Sequence, residues 1–192
     1  MFKGLYDWTM EKLTRPSGEK WLAFLAFSES IYFPIPIDIL MIPMILANRI
    51  KAWRLATITL LASVIGGIGG YLIGAFLYES LAAPIIELYG YQDQFLKIQD
   101  WFKDYGIAIV LVAGFTPIPF KVVTIASGFA SLNPLIFILT SIPARGARFY
   151  LVAGLLWKFG DPIKEFIEKR LTLVVTAVTI AGLAGFAVLK LL

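Results

Sequence analysis

The chain has 192 residues, 59% of them hydrophobic and 16% charged, with a mean hydropathy of +0.81 and a net charge of +4. A soluble domain of this size could not hide so much apolar surface, so the composition predicts a single-domain integral membrane protein. The absence of cysteine and histidine excludes disulfides, thiol nucleophiles, Ser-His hydrolases and His-metal sites. Nor does the positive charge point to nucleic acid, because Lys and Arg gather in short loops beside apolar segments.

Residues 1–20 carry Lys3, Lys12, Arg15 and Lys20 and read as an amphipathic N-terminal helix; the first apolar run begins only at Trp21, too late for a cleavable signal. Region 21–48 is apolar, yet it is broken by Pro34 and Pro36 and holds Glu29 and Asp38. A basic loop with Arg49, Lys51 and Arg54 leads into Leu55–Tyr78, 24 uncharged residues that are long enough to cross a bilayer. Residues 79–106 form a polar linker containing Glu79, Glu87, Asp93, Asp100 and Asp104 beside Lys97 and Lys103. Region 107–144 is apolar again, broken by Pro117 and Pro119, with Lys121 as its one charge. A helix over 145–157 is expected to cross next and to deliver Lys158, Lys164, Lys169 and Arg170 to the first side. Residues 171–192 supply a C-terminal transmembrane helix, beginning with 19 uncharged residues from Leu171 to Leu189.

Two parts of the chain resemble each other. Pro34-Ile-Pro36-Ile-Asp38 aligns with Pro117-Ile-Pro119-Phe-Lys121, and "YLIGAFLY" from Tyr71 aligns with "YLVAGLLW" from Tyr150. Two motifs in the same order at nearly equal offsets predict an internal repeat, residues 21–78 and 107–158. If each broken region is a re-entrant hairpin, eleven basic residues fall on one side of the membrane against two in the linker. That side is then cytoplasmic, together with the N-terminus, and the two repeats are inverted. Trp21, Trp53, Trp101 and Trp157 fall near the expected boundaries, as interfacial anchors should.

Prolines are tolerated within lipid only where the freed backbone groups meet protein or water. An intramembrane charge costs roughly 2.5–3.5 kcal/mol on insertion scales, so it usually has a partner or a task. Glu29 and Asp38 are the proton-coupling candidates, Glu29 the better of the two because no base is assigned to it. A purely structural pairing of Asp38 is the competing reading. Lys121, Arg145 and Arg148 are candidates for binding an anionic group, since guanidinium donors beside an amine suit phosphate or carboxylate. For the two arginines, three residues apart, snorkelling to the interface is the alternative. Pro34, Pro36, Pro117 and Pro119 shape the hairpins. Gly66, Gly70 and Gly74 recur every four residues and predict close helix packing. Equivalent positions of inverted repeats meet near the axis, so Asp38 is expected to face Lys121.

Glu29, the Pro34-x-Pro36-x-Asp38 turn, the stretch "GFTPIPFKVVTIASG" and the Arg145/Arg148 helix resemble the DedA (SNARE-associated, or VTT-domain) membrane proteins, above all the small YqaA-like branch. The resemblance covers roughly residues 20 to 160. It implies paired inverted hairpins that move or scramble phosphate-bearing lipids, undecaprenyl phosphate among them, in support of proton-motive-force-dependent membrane homeostasis. The family's acidic pair falls onto Glu29 and Asp38. Its second hairpin usually carries two arginines; here Lys121 stands where the latter would be, and Phe115 and Thr116 occupy the region of the former.

The expected fold is all-α and membrane-embedded: two inverted re-entrant hairpin-plus-helix repeats, an amphipathic N-terminal helix and a C-terminal span, in a bacterial inner membrane. The expected function is a flippase or scramblase-like transporter for a phosphate-bearing lipid, with protons and a second copy of the chain as candidate partners. An ion-coupled carrier of a small soluble anion and a non-catalytic membrane-organising protein are the alternatives. No enzyme activity, cofactor or metal is expected.

Overall fold

The computed structural model describes residues 17–89, 92–116 and 118–160. The amphipathic helix expected over 1–20 lies mostly outside these residues, as do Pro117 and the C-terminal span. Among the described residues the order is α1 (Gly18–Glu29), α2 (Ile37–Ala47), a 3-10 turn (Arg49–Lys51), α3 (Ala52–Leu77), a π turn (Tyr78–Ala82), α4 (Ala83–Tyr89), α5 (Gln92–Phe115), α6 (Phe120–Phe129) and α7 (Pro134–Phe159).

Helix lengths follow from where prolines and charges fall. Twelve residues in α1, eleven in α2 and ten in α6 give rods of roughly 15–18 Å, about half the hydrocarbon thickness. Pro36 and Pro119 stand at the N-caps of α2 and α6, where a missing N–H costs nothing and the fixed φ starts the next helix. The uninterrupted apolar runs become α3 and α7, each 26 residues. The stretches Arg49–Ser80 and Pro134–Phe159 are long and apolar enough to cross a membrane. Leu61, Ile65, Leu72 and Phe76 on α3 and Leu135, Leu139 and Leu151 on α7 are exposed, an outward apolar surface that lipid would cover.

The polar linker is helical, since α4 and the first half of α5 lie within it. The second broken region is also shorter than 107–144. Asn133 accepts backbone N–H bonds from Leu135 and Ile136, and Pro134 occupies the first turn, so α7 starts eleven residues before the expected 145.

The long helices run antiparallel against each other. Trp53 lies beside Trp157, Thr57 Oγ1 hydrogen-bonds Tyr150 Oη at 2.7 Å, and Ser63 meets Arg145. Farther along, the Tyr71 hydroxyl donates to the Leu132 carbonyl at 2.5 Å. Residues rising along α3 therefore meet residues falling along α7. Glu19 at the start of α1 bridges Lys51 at 3.2 Å and Arg54 at 2.8 Å, at the start of α3. At the opposite end Gln99 of α5 donates to Ser131 in the α6–α7 turn at 3.3 Å. The start of α1 thus lies beside the start of α3, and α5 lies beside the α6–α7 turn at the other end of α3.

Glycines let α3 serve as the central post. A Cβ at Gly66 would overlap the Phe27 carbonyl of α1, and one at Gly74 the Ile125 carbonyl of α6. One at Gly70 would strike the Thr124 hydroxyl, and one at Gly128 of α6 would strike the Tyr71 carbonyl. Those at Gly66, Gly74 and Gly128 are backbone-to-backbone approaches that a side chain would block. Around them lies one core of α1, α2, α3 and α7 residues, including Leu25, Leu40, Met41, Leu55 and Phe149. A second core gathers Tyr71, Val110, Phe120, Val123 and Phe137.

Candidate functional site

The two proline turns meet at a cavity of about 90 Å³. It is lined by all five candidate charges, Glu29, Asp38, Lys121, Arg145 and Arg148, together with Thr116 and turn residues from both hairpins. Glu29 is the last residue of α1 and Asp38 the second of α2, so one proline turn places two carboxylates around the same point. Arg145 and Arg148, one turn apart in the middle of α7, reach that point from the other repeat.

The arginines are interior, only 4% and 8% exposed, so the snorkelling reading fails for both. Arg145 Nη2 donates to Glu29 Oε2 at 3.1 Å and its Nε to Ser63 Oγ at 2.9 Å. Its guanidinium lies between two rings, 4.8 Å from the Phe120 centroid and 4.5 Å from that of Phe149, a favourable arrangement for a desolvated cation. Arg148 Nε and Nη2 both donate to Asp38 Oδ2, at 3.0 and 2.5 Å, and its Nη1 donates to the Phe115 carbonyl at 3.1 Å. Phe115 ends α5, so this cation also satisfies a carbonyl at the negative end of a helix dipole.

The expected pairing of Asp38 with Lys121 is not what forms. Asp38 pairs with Arg148, while Lys121 Nζ donates to the Phe33 carbonyl at 2.9 Å. The reason is geometric. Equivalent positions of two related segments touch only if they lie on the axis between them; here Arg148 of α7 places both Nε and Nη2 on Asp38 Oδ2 instead. Lys121, on the first turn of α6, reaches across to the hairpin of the other repeat and occupies a carbonyl that the proline turn leaves open.

Sequence reasoning overlooked the hydroxyls. Ser30 Oγ lies 2.8 Å from Ser63 Oγ, and Thr124 Oγ1 donates to the Ser30 carbonyl at 3.3 Å. Together they link α1, α3 and α6 just beside the ion pairs. Ser63, one of the few hydroxyls within the uncharged run 55–78, was the available signal.

The VTT-domain family profile matches residues 35–158, from the first proline turn to the end of α7. An uncharacterized protein of Haemophilus influenzae is 36% identical over 190 residues, 99% of this chain and 98% of the relative. An uncharacterized protein of Histophilus somni is also 36% identical, over 99% of both chains. One from Methanocaldococcus jannaschii is 30% identical over 112 residues, 58% of this chain and 66% of its own length. No solved structure matches the chain. With the profile spanning both proline turns, both arginines and the two long helices between them, the chain belongs to the VTT-domain, or DedA, family of membrane proteins.

Proposed function

We propose that this protein moves a phosphate-bearing lipid, such as a polyprenyl phosphate or a phospholipid, between membrane leaflets. One observation carries the reading: five charged side chains converge on a small cavity where two proline-broken hairpins meet. Two carboxylates against two guanidiniums and one amine leave a formal surplus of one positive charge (3 − 2 = +1) for an anionic headgroup. The cavity is far smaller than the roughly 300–1,000 Å³ of a pocket for a drug-sized ligand, so it suits a headgroup and not a whole lipid. Pro34, Pro36 and Pro119 in its lining are exposed, which gives acyl chains a way to remain in the bilayer.

In this reading the hairpins are re-entrant and inverted, and the protein is a multi-pass protein of the bacterial inner membrane with a cytoplasmic N-terminus. The neighbouring positions of Glu19 and Lys51 at one end, and of Gln99 and Ser131 at the other, support it. Transport proceeds by exchange of the ties between hairpins and long helices, with Lys121, Arg145 and Arg148 receiving the headgroup. Glu29, which has Arg145 as its base and so is not the unpartnered carboxylate the sequence suggests, is the carboxylate through which protons couple.

Two measurements test this. Cysteines at Lys51 and Gln99 should label from opposite faces of the membrane, with position 20 behaving like position 51; opposite labelling of 20 and 51 would make the first region a span. Liposomes containing the purified protein should move a labelled phospholipid or polyprenyl phosphate between leaflets faster than protein-free vesicles, and a pH gradient should alter the rate. Movement of small soluble anions without lipid movement would favour the carrier reading instead.

A further inference from the structure

The ties around the cavity leave one amine outside any ion pair and one carboxylate oxygen without a donor, and the two differ in what they need. Lys121 has no carboxylate within 4 Å among the described residues and spends its amine on a backbone carbonyl. Asp38 is 4% exposed, and both Arg148 donors converge on Oδ2 instead of forking across the two carboxylate oxygens. The other oxygen, Oδ1, is buried without a hydrogen-bond donor. Buried acceptors are nearly always satisfied, so an orphan on a cavity-lining carboxylate marks a place for a donor.

The site therefore asks for one negative charge and one donated hydrogen. A phosphate monoester in its singly protonated form, R–O–PO3H−, supplies both: its oxygens accept from Lys121, and its P–OH donates to Asp38. A phosphodiester carries the charge but no hydrogen. The fully ionised monoester would set its lone pairs against those of Oδ1. The remaining charged groups on the cavity, Glu29 from α1 and Arg145 and Arg148 from α7, are already engaged with partners. Beside the cavity, the Ser63 hydroxyl of α3 and the Phe115 carbonyl of α5 are both held by arginine.

We infer that Asp38 is a specificity-determining residue, which selects a protonated phosphate monoester over a diester by accepting the P–OH hydrogen at Oδ1 while Arg148 holds Oδ2. The inference rests on the phosphate-lipid reading of the same cavity and narrows it to one kind of headgroup. The headgroup would take Lys121 from the Phe33 carbonyl as it enters, which connects recognition to the release of the first proline turn.

The test compares two lipids with identical acyl chains. Phosphatidic acid is a monoester; phosphatidylmethanol differs by one methyl group on the phosphate and is a diester of single charge. At pH 6, where a phosphate monoester is about half singly protonated, phosphatidic acid should cross reconstituted liposomes at least about tenfold faster, each rate being corrected for protein-free vesicles. Equal rates for the two lipids would overturn the inference and leave the phosphate-lipid reading standing. If neither lipid moves above background, that reading falls and this one falls with it. The Asp38→Asn/Arg148→Gln double variant removes the reader without leaving a bare buried charge. The readout is the ratio of the two rates, which should fall from about tenfold to about one even where both rates drop; a preserved tenfold preference would show that Asp38 does not read the headgroup.

Discussion

In the first repeat, Pro36 at φ −59°, ψ 132° hands the chain to an eleven-residue helix whose second residue is Asp38. In the second, Pro119 at φ −58°, ψ 108° leads into a ten-residue helix whose second residue is Lys121. The backbones match and the charges oppose. An acid on the first turn of a helix faces the positive end of the helix dipole and is stabilised there, whereas a base at the same place is destabilised. Arg145 and Arg148 belong to the second repeat as well, so the first repeat holds the buried acids and the second the buried bases. Neither half could sit in lipid alone without stranding its charges. The two halves are thus complementary in charge as well as packed against each other through shared apolar cores and close glycine contacts.

Breaking an ion pair should have the largest effect. Removing one partner of a buried pair typically costs about 3–5 kcal/mol, because the other charge is left stranded. Arg148→Gln and Asp38→Asn should each sharply lower the yield of folded protein in detergent. The Asp38→Asn/Arg148→Gln double variant should recover much of it, giving a coupling energy of about 1–3 kcal/mol. The same cycle run with Asp38 and Lys121 should be close to additive. Strong coupling in the second cycle and none in the first would overturn the pairing seen between the repeats.

Much of this arrangement was legible in the sequence. Prolines and charges inside apolar runs located both turns, and the uncharged run from Leu55 located α3. Partner choice was not legible. Alignment of the two motifs puts Asp38 opposite Lys121, but alignment records equivalence and not contact; Asp38 pairs with Arg148, and Lys121 with the Phe33 carbonyl. Arg145 and Arg148 looked like residues near a membrane edge because α7 was expected to start at 145. The Asn133–Pro134 pair, a helix start signal of ordinary strength, would have moved that start to 134 and the arginines into the interior. The linker's charges hid a helix, since Asp100 and Lys103, which pair at 3.0 Å one turn apart, are solvent-facing helix residues.

The scaffold itself offers the next comparison, between close contacts and loose ones. Gly74 and Gly128 press α3 and α6 backbone against backbone, and a Cβ at either would strike the opposing carbonyl. Gly146 on α7 has only the Leu60 side chain near it, at 3.5 Å. Gly74→Ala or Gly128→Ala should destabilise by about 1–3 kcal/mol, as overpacking does. Gly146→Ala should be neutral, or slightly stabilising through helix propensity. Thermal denaturation of the three variants in detergent checks this; equal melting temperatures would mean that α3 and α6 can separate without cost.

Lys121 should have the smallest effect on stability, and its contrast with Asp38 is the sharper for it. Lys121→Gln removes a charged hydrogen bond to the Phe33 carbonyl, worth about 1.5–3 kcal/mol in general. The glutamine amide can donate to the same carbonyl and restore part of that. The change also takes a positive charge away from the positive end of the α6 dipole, a relief of about 0.3–1 kcal/mol, and ends the desolvation of a half-buried amine that has no carboxylate partner. These opposing contributions leave a net change within about 1 kcal/mol, against the several expected for Arg148→Gln. Lipid movement should respond the other way round, because Lys121 carries a cavity charge that no ion pair among the described residues has claimed. A Lys121→Gln protein that melts like the parent but no longer moves a phosphate-bearing lipid would show that this base, set against its own helix dipole, serves the headgroup and not the fold. A variant that unfolds as Arg148→Gln does would make Lys121 a structural tie like the arginines, and the difference between the two repeats would then be one of packing alone.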